Sequence, residues 1–395
     1  MGDSASHRPF RRHSTSPGDR RALADPSETA HIPVGGHHNE NTELPPARAL
    51  AERHGLPPGA TVLLRRRRAD ALPVVVRTWS EWRILEAAGV LRPYVPRVLE
   101  ARADRTVLVY VPGTPLGEQY PDGTPVDSAL VRELAKLLAR TCLVERTALP
   151  PLPLEHPRDR TDSRGFLRAL VTTHHRRIVC ANWGVYGGLF EALGVPPQAL
   201  AEWGERLPEL TPRPFSLLHG DLHRDNVIVT PDGQPPLVAI DWELATYGDP
   251  LHDLAIHLVR MRYPAGQWEE VVGAWIAEML RMRRAAVAGV TNDLWYYLEF
   301  ERAQSLFPDV LRTVRRLNAP FGQAELDRAA ADVTRALRVA AEPLWLPRVP
   351  DEDRVAEVLE EWAGTGGGRV RVSRSPGRDT RPRVPWPRLA EDGSA

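Results

Sequence analysis

Apolar and polar positions fall into two regimes along this chain. Before residue 114 the apolar runs are short and bounded by turn formers: 61–64, 95–99 and 106–111 have the length and composition of β-strands. A further short apolar stretch at 31–34 enters the pair Gly35-Gly36, and 47–55 has the makings of a short helix. Residues 74–88 carry two patterns at once. Val75, Trp79, Trp82 and Leu85 stand at helical spacing after Asp70 and Pro73, a helix-start signal. Yet Val74-Val75-Val76 is a β-branched run that favours a strand pairing back as a hairpin. Beyond 114 the period is mostly helical. Leu130, Leu134, Leu137 and Leu138 make one face behind Asp127 as a cap, and helices are predicted over 166–178, 253–263, 267–284, 293–317 and 323–341. One interruption breaks this regime: the apolar runs 215–218, 227–229 and 237–240, the last two joined by Pro231-Asp232-Gly233, predict strands with a tight turn.

Composition narrows the class. The 395 residues suffice for one large two-lobed unit or two ordinary domains. Lys plus Arg and Asp plus Glu both number 51, so no bulk attraction to nucleic acid or to a membrane surface follows. No apolar run approaches the ~18 residues of a membrane-crossing helix, and the polar residues after Arg11-Arg12 do not make a secretory leader. With only Cys142 and Cys180, neither a disulfide framework nor a zinc site is expected, and a reducing cytoplasm is the default. Residues 1–30 and 366–395 are polar, without apolar periodicity, and are predicted to be disordered tails around an N-terminal lobe (31–113) and a C-terminal lobe (114–365). Lys136 is the only lysine, so any chemistry needing another cation falls to arginine.

The strand interruption carries the chemistry. Asp221 lies just past the run 215–218, Asn226 opens 227–229, and Asp241 closes 237–240. A tight hairpin makes Asn226 and Asp241 neighbours, two hard oxygen donors of the kind a divalent ion takes alongside phosphate oxygens. Asp221, one loop away, is free to accept a proton from a hydroxyl nucleophile. The pattern H-G-D-x-x-x-x-N from His219, then I-D-W-E from Ile240, resembles the aminoglycoside phosphotransferase and choline kinase family, relatives of the protein kinases. Gly248-Asp249-Pro250 and Asp253-Leu254-Ala255 extend the resemblance.

The resemblance implies an α+β, two-lobed protein-kinase-like fold, with a small antiparallel-sheet N-lobe and a larger, mainly helical C-lobe. It implies an ATP-dependent enzyme in which Asp221 is the base and Asn226 and Asp241 hold Mg2+ on the phosphates. His219 and Asp253 would brace the catalytic loop. Gly35, Gly36 and Asn39 would form the nucleotide-positioning loop, and 112–116 the hinge between lobes. The family's phosphate-binding lysine is missing. Arg65 paired with Glu81 is the preferred replacement, with Arg77 and Glu81 or Glu86 as the rival. Arg224-Asp225 stand where many relatives have Pro-Gly, which alters the shape of the loop, and no γ-phosphate contact is assigned to Arg224. In the family the helix 293–317 walls the acceptor. Its Asp293, Glu299 and Glu301 among Trp295, Tyr296, Tyr297, Phe300 and Phe307 suit a cationic acceptor, an amino sugar or amino alcohol; alternatively they are a core stripe with a solvated acidic face. The expected function is thus phosphoryl transfer to a small-molecule hydroxyl. The alternative is a degenerate kinase fold that binds a ligand or partner without turnover, motivated by the missing lysine. A protein kinase is disfavoured, because Asp241 is followed by Trp242-Glu243 and no A-P-E segment is present.

Overall fold

Ten strands and twelve α-helices are seen among the residues that the computed structural model describes, 32–34, 39–68, 74–317 and 321–364. The small lobe is built from β1 (Ile32–Val34), β2 (Asn39–Leu44), β3 (Val62–Arg67), β4 (Val98–Ala101) and β5 (Arg105–Val109). They form one five-stranded antiparallel sheet in the order β1-β2-β3-β5-β4. Between them lie α1 (Arg48–His54), ended by Gly55 in the left-handed conformation at φ 61°, and α2 (Glu81–Ala87). Leu44, Leu50, Val62, Leu64, Leu99 and Val107 make a small core under this sheet. Helix α2 belongs elsewhere: Ile84 and Leu85 are buried in the large core of the other lobe.

Residues 74–80 depart from both sequence readings, being neither helix nor strand. The helix starts only after Ser80. Its upstream groups are committed to the large lobe instead: Arg77 Nη2 donates to Glu243 (2.8 Å), Thr78 Oγ1 to Thr246 Oγ1 (3.1 Å) and Trp79 Nε1 to the Pro151 carbonyl (2.8 Å). Tertiary anchoring overrides local propensity here. Asp70 and Pro73 lie outside the described residues.

The chain enters the large lobe through β6 (Thr114–Pro115) and α3 (Leu116–Gln119). Helix α4 (Ser128–Arg140) is capped by Asp127, whose carboxylate accepts from Ala129 N. Then come α5 (Ser163–His174), α6 (Ala181–Ala192) and α7 (Ala199–Glu205). A π-helical turn, His175–Cys180, joins α5 to α6, so the helix predicted over 166–178 is the first part of a longer rod. Strands β7 (Ser216–Leu218), β8 (Val227–Val229), β9 (Leu237–Ala239) and β10 (Thr246–Gly248) form two small sheets, β10-β7 and β6-β8-β9. The lobe finishes with α8 (Pro250–Arg260), α9 (Trp268–Met282), α10 (Val290–Arg316), α11 (Gln323–Ala341) and α12 (Glu352–Gly364). No described helix is long and apolar enough to cross a membrane.

The aromatic residues of α10 divide. Tyr297, Phe300 and Phe307 are fully buried in the core, while Trp295 is 45% exposed. Asp293 is buried and paired with Arg213 (2.6 Å). Much of the expected acidic, aromatic wall is therefore structural.

Candidate functional site

The site sits where β7, β8 and β9 end. In the β8–β9 hairpin Val227 pairs with Ala239, and Ile240 N donates to the Asn226 carbonyl (2.9 Å). Asn226 and Asp241 are thus brought to the same end of the hairpin. The loop from His219 to Asn226 is held from behind by α8. Asp253 accepts from His219 N (2.7 Å) and Gly220 N (2.8 Å), one carboxylate oxygen for each amide. Gly220 sits at φ 77°, and a Cβ there would lie 2.4 Å from the Leu244 carbonyl oxygen, so a side chain is excluded on both counts. The His219 ring is buried against Trp242, with centroids 4.5 Å apart. Burial holds it neutral by lowering its pKa to about 4. Its Nε2–H then donates to the Ile240 carbonyl (3.0 Å) and its Nδ1 accepts from Asp221 N (3.3 Å), so the ring ties the loop to the hairpin.

Asp221 is surrounded by donors. Arg260 Nη1 lies 2.6 Å from Oδ1, Asn226 Nδ2 is 3.3 Å from Oδ2, and His223 Nε2 is 3.6 Å away. Burial acts to raise its pKa, but Arg260, His223 and His219 outweigh that and hold it well below the usual carboxylate range. Asn226 gives its amide group to the Asp221 carbonyl (2.9 Å) as well, and its Oδ1 accepts from none of the described residues. Asp241, at φ 62°, uses Oδ1 toward Arg65 and keeps its side chain 29% exposed. These free oxygens fit a small divalent ion held by few protein ligands and completed by phosphate oxygens. Among the described residues no three His, Cys, Asp or Glu side chains converge to make a metal cage of their own.

Arg65 supplies the charge on the opposite wall. Its single Nη1 lies 2.7 Å from both Glu81 carboxylate oxygens and 2.9 Å from Asp241 Oδ1, while Nε donates to Asn41 Oδ1 (3.1 Å). One nitrogen thereby meets three carboxylate oxygens, much as a lysine ammonium would. Glu81 also accepts from Trp242 N (3.1 Å), which fastens α2 to the turn after Asp241. The rival arginine, Arg77, pairs with Glu243 rather than with Glu81 or Glu86. Asn39 joins the same glutamate, its Nδ2 donating to Glu243 Oε2 (2.8 Å). Gly35 and Gly36 lie outside the described residues.

Arg224 is not placed to touch a phosphate. It is 3% exposed, and its guanidinium donates to the carbonyls of Met261, Tyr120, Pro121 and Thr124. Those backbone acceptors tie the loop from His219 to Asn226 to the segments near residues 120 and 261. The sequence reading missed Arg260 and gave Glu243 no role, and Glu301, named there on the acidic face of 293–317, is buried. Arg260 had a signal: it stands seven residues after Asp253, two helical turns along the same face of α8.

Glu301 of α10 is 1% exposed, and burial pushes its pKa from 4.5 up to about 7 despite the nearby Arg260. The native state therefore holds more protons than the unfolded chain between those values, and stability falls as pH rises through that window. The difference is on the order of 3 kcal/mol. Glu301→Gln is expected to flatten this dependence, narrowing the loss of melting temperature between pH 5 and pH 8. Parallel curves for the two proteins would count against the assignment.

Comparisons with known proteins bear on the fold and the family. A protein from Ralstonia eutropha JMP134 named for the aminoglycoside phosphotransferases has a similar fold. It is 17% identical, with a TM-score of 0.53 over 87% of this chain and 96% of that one. Choline kinase LicA from Streptococcus pneumoniae is 16% identical, with a TM-score of 0.48 over 80% and 94% of the two chains. Among curated proteins, mouse acyl-CoA dehydrogenase family member 10 is 37% identical over 70 residues, 17% of this chain. This chain spans only 6% of that relative's length. The model of the phosphotransferase enzyme family matches residues 47–287, more than half of the 395 residues, and the chain belongs to that family, with its two-lobed protein-kinase-like fold.

Proposed function

We propose that this protein is an ATP-dependent phosphotransferase that moves the γ-phosphate to a hydroxyl of a small molecule. The observation that carries this is the convergence of Asp221, Asn226 and Asp241 on one hairpin end, faced by the Arg65–Glu81 pair. Asn226 and Asp241 would hold Mg2+, which when bound offsets negative charge on the phosphates. Asp221 orients the acceptor hydroxyl and takes its proton as the new oxygen–phosphorus bond forms and the bond to the β-phosphate oxygen breaks, leaving ADP. Asp253 and His219 keep the loop in the shape that this requires. Catalysis is then positioning and electrostatics rather than covalent chemistry. A reducing cytoplasm suits the free thiols, Cys142 buried and Cys180 exposed.

Arg65 also answers the motive for a non-catalytic reading, because a permanent positive charge stands beside Asp241 although the lysine is missing. Arg65→Ala is expected to weaken nucleotide binding about tenfold or more, the loss of one charge-assisted contact, and Arg77→Ala by much less. Titration of both variants with nucleotide checks the order, and the reverse order would move the phosphate grip to Arg77. The reading as a whole is tested by ADP formation with Mg2+ and a panel of hydroxyl acceptors, with product masses determined. Undetectable ATP binding by the purified protein would overturn it.

A further inference from the structure

The acceptor side of Asp221 is lined with arginine. Arg260 touches Asp221 and keeps its side chain 29% exposed. Helix α8 packs along α10, and Arg312 of α10 lies within range of the charges of Arg260 and Asp221. Arg312 Nη1 reaches Asp309 at 3.3 Å, while its Nε is buried with no partner among the described residues. Burial first, and then the charge of Arg260, disfavour its charged form. Burial works against the charge of Arg260 too, but Asp221, Glu301, Asp309 and Asp225 outweigh it there and raise its pKa; at Arg312, Asp309 and Asp221 do not outweigh burial and Arg260, and the Asp309 side chain is 49% exposed. Asp293, which sequence offered to a cationic acceptor, is taken by Arg213 and Thr211 N.

We propose that Arg260 and Arg312 form the docking site for an anionic group, a carboxylate or phosphate, carried by the hydroxyl acceptor. This rests on the phosphotransferase reading of the same site. Two neighbouring guanidinium groups, one with an unmet donor, are complementary to an oxyanion and repel an ammonium. The same contact explains selection beyond affinity. Arg260 holds Asp221 Oδ1, an oxygen that the acceptor hydroxyl needs, and an anion that draws Arg260 toward Arg312 releases it. An aminoalcohol cannot do this.

The test uses the full chain with MgATP and matched acceptors: 3-hydroxypropionate against 3-aminopropan-1-ol, and glycerol 3-phosphate against choline. The anionic member of at least one pair is expected to give a kcat/KM about tenfold higher, equivalent to one good charge-assisted contact, and the two pairs separate carboxylate from phosphate. Arg312→Gln is expected to raise KM for that acceptor about tenfold with less than about threefold change in kcat. Arg312→Lys, which keeps the charge without the fork, should recover part of the loss and covers the case in which the glutamine variant fails to fold. Arg335→Gln, an exposed position on α11, should change neither constant. Preference for the ammonium compounds, or an unchanged KM in Arg312→Gln, would overturn the proposal. If no probe turns over, calorimetric titration of both anions into the protein decides, and absence of binding overturns it. Failure to bind MgATP overturns the phosphotransferase reading alone, because anion titration without nucleotide still reads the arginine pair.

Discussion

Asp221→Ala is expected to lower turnover by about a thousandfold while MgATP affinity stays within a factor of about three, the range for loss of a positioned general base. The carboxylate is held ionised by Arg260, His223 and His219 against the pull of burial. A base so acidic does not strip a ground-state alcohol. It orients the hydroxyl and takes the proton late, once bonding to phosphorus has made that proton acidic, as a loose phosphoryl transition state demands. Asp221→Asn separates these duties, because the amide still accepts one hydrogen bond but takes no proton. Nearly equal losses in the two variants would assign the effect to charge and proton transfer. A much milder loss in the asparagine variant would assign it to orientation. Nucleotide affinity should barely move in either, because Asn226, Asp241 and Arg65 are untouched. A fall of only a few-fold in turnover by both variants would remove Asp221 from the role of base.

Arg213→Met is expected to be the most destabilising single change, by about 3–5 kcal/mol, the cost of leaving buried carboxylates without their cation. Arg213 and Asp249 are both fully buried, and the guanidinium meets Asp249 through Nε and Nη2 (2.7 Å) and Asp293 through Nη1 (2.6 Å). Tyr297 donates to the same Asp249 oxygen (2.8 Å), and Leu251 N to the other (3.0 Å), so Asp249 also caps α8. Removing the arginine strands two carboxylates at the junction of α8 and α10. Calorimetry should show a melting temperature lower by roughly 10 °C, taking about 2–4 °C per kcal/mol for a chain of this size or somewhat smaller. A shift under about 2 °C would mean that water or rearrangement satisfies both acids.

What sequence made legible follows the range of the interactions involved. The Asn226–Asp241 neighbourhood was readable because a short hairpin imposes it within fifteen residues. The Arg65–Glu81 pair was readable only through the family's pattern of a strand cation held by a helix glutamate, since the segment offers several arginines. Residues 74–80 were not, because their conformation is set by Glu243, Thr246 and Pro151, far along the chain. The place of Arg224 was not readable for the same reason: its acceptors are carbonyls near residues 120 and 261. Helix α6 was missed because Gly184, Gly187 and Gly188 look like breakers, yet Trp183 lies over Gly187, where a Cβ would stand 2.6 Å from the indole nitrogen.

The shared nitrogen of Arg65 makes the two walls of the site a single thermodynamic unit. Glu81 belongs to α2 and Asp241 to the end of the β8–β9 hairpin, and one guanidinium serves both. In the proposed enzyme, whatever satisfies Asp241 loosens its claim on Arg65, which is then free to grip phosphate. Occupancy of one wall therefore alters affinity at the other, and such coupling is reciprocal: the factor by which nucleotide strengthens cation binding equals the factor by which cation strengthens nucleotide binding. In that enzyme, an arginine where relatives have a lysine would set how tightly the two ligands depend on each other.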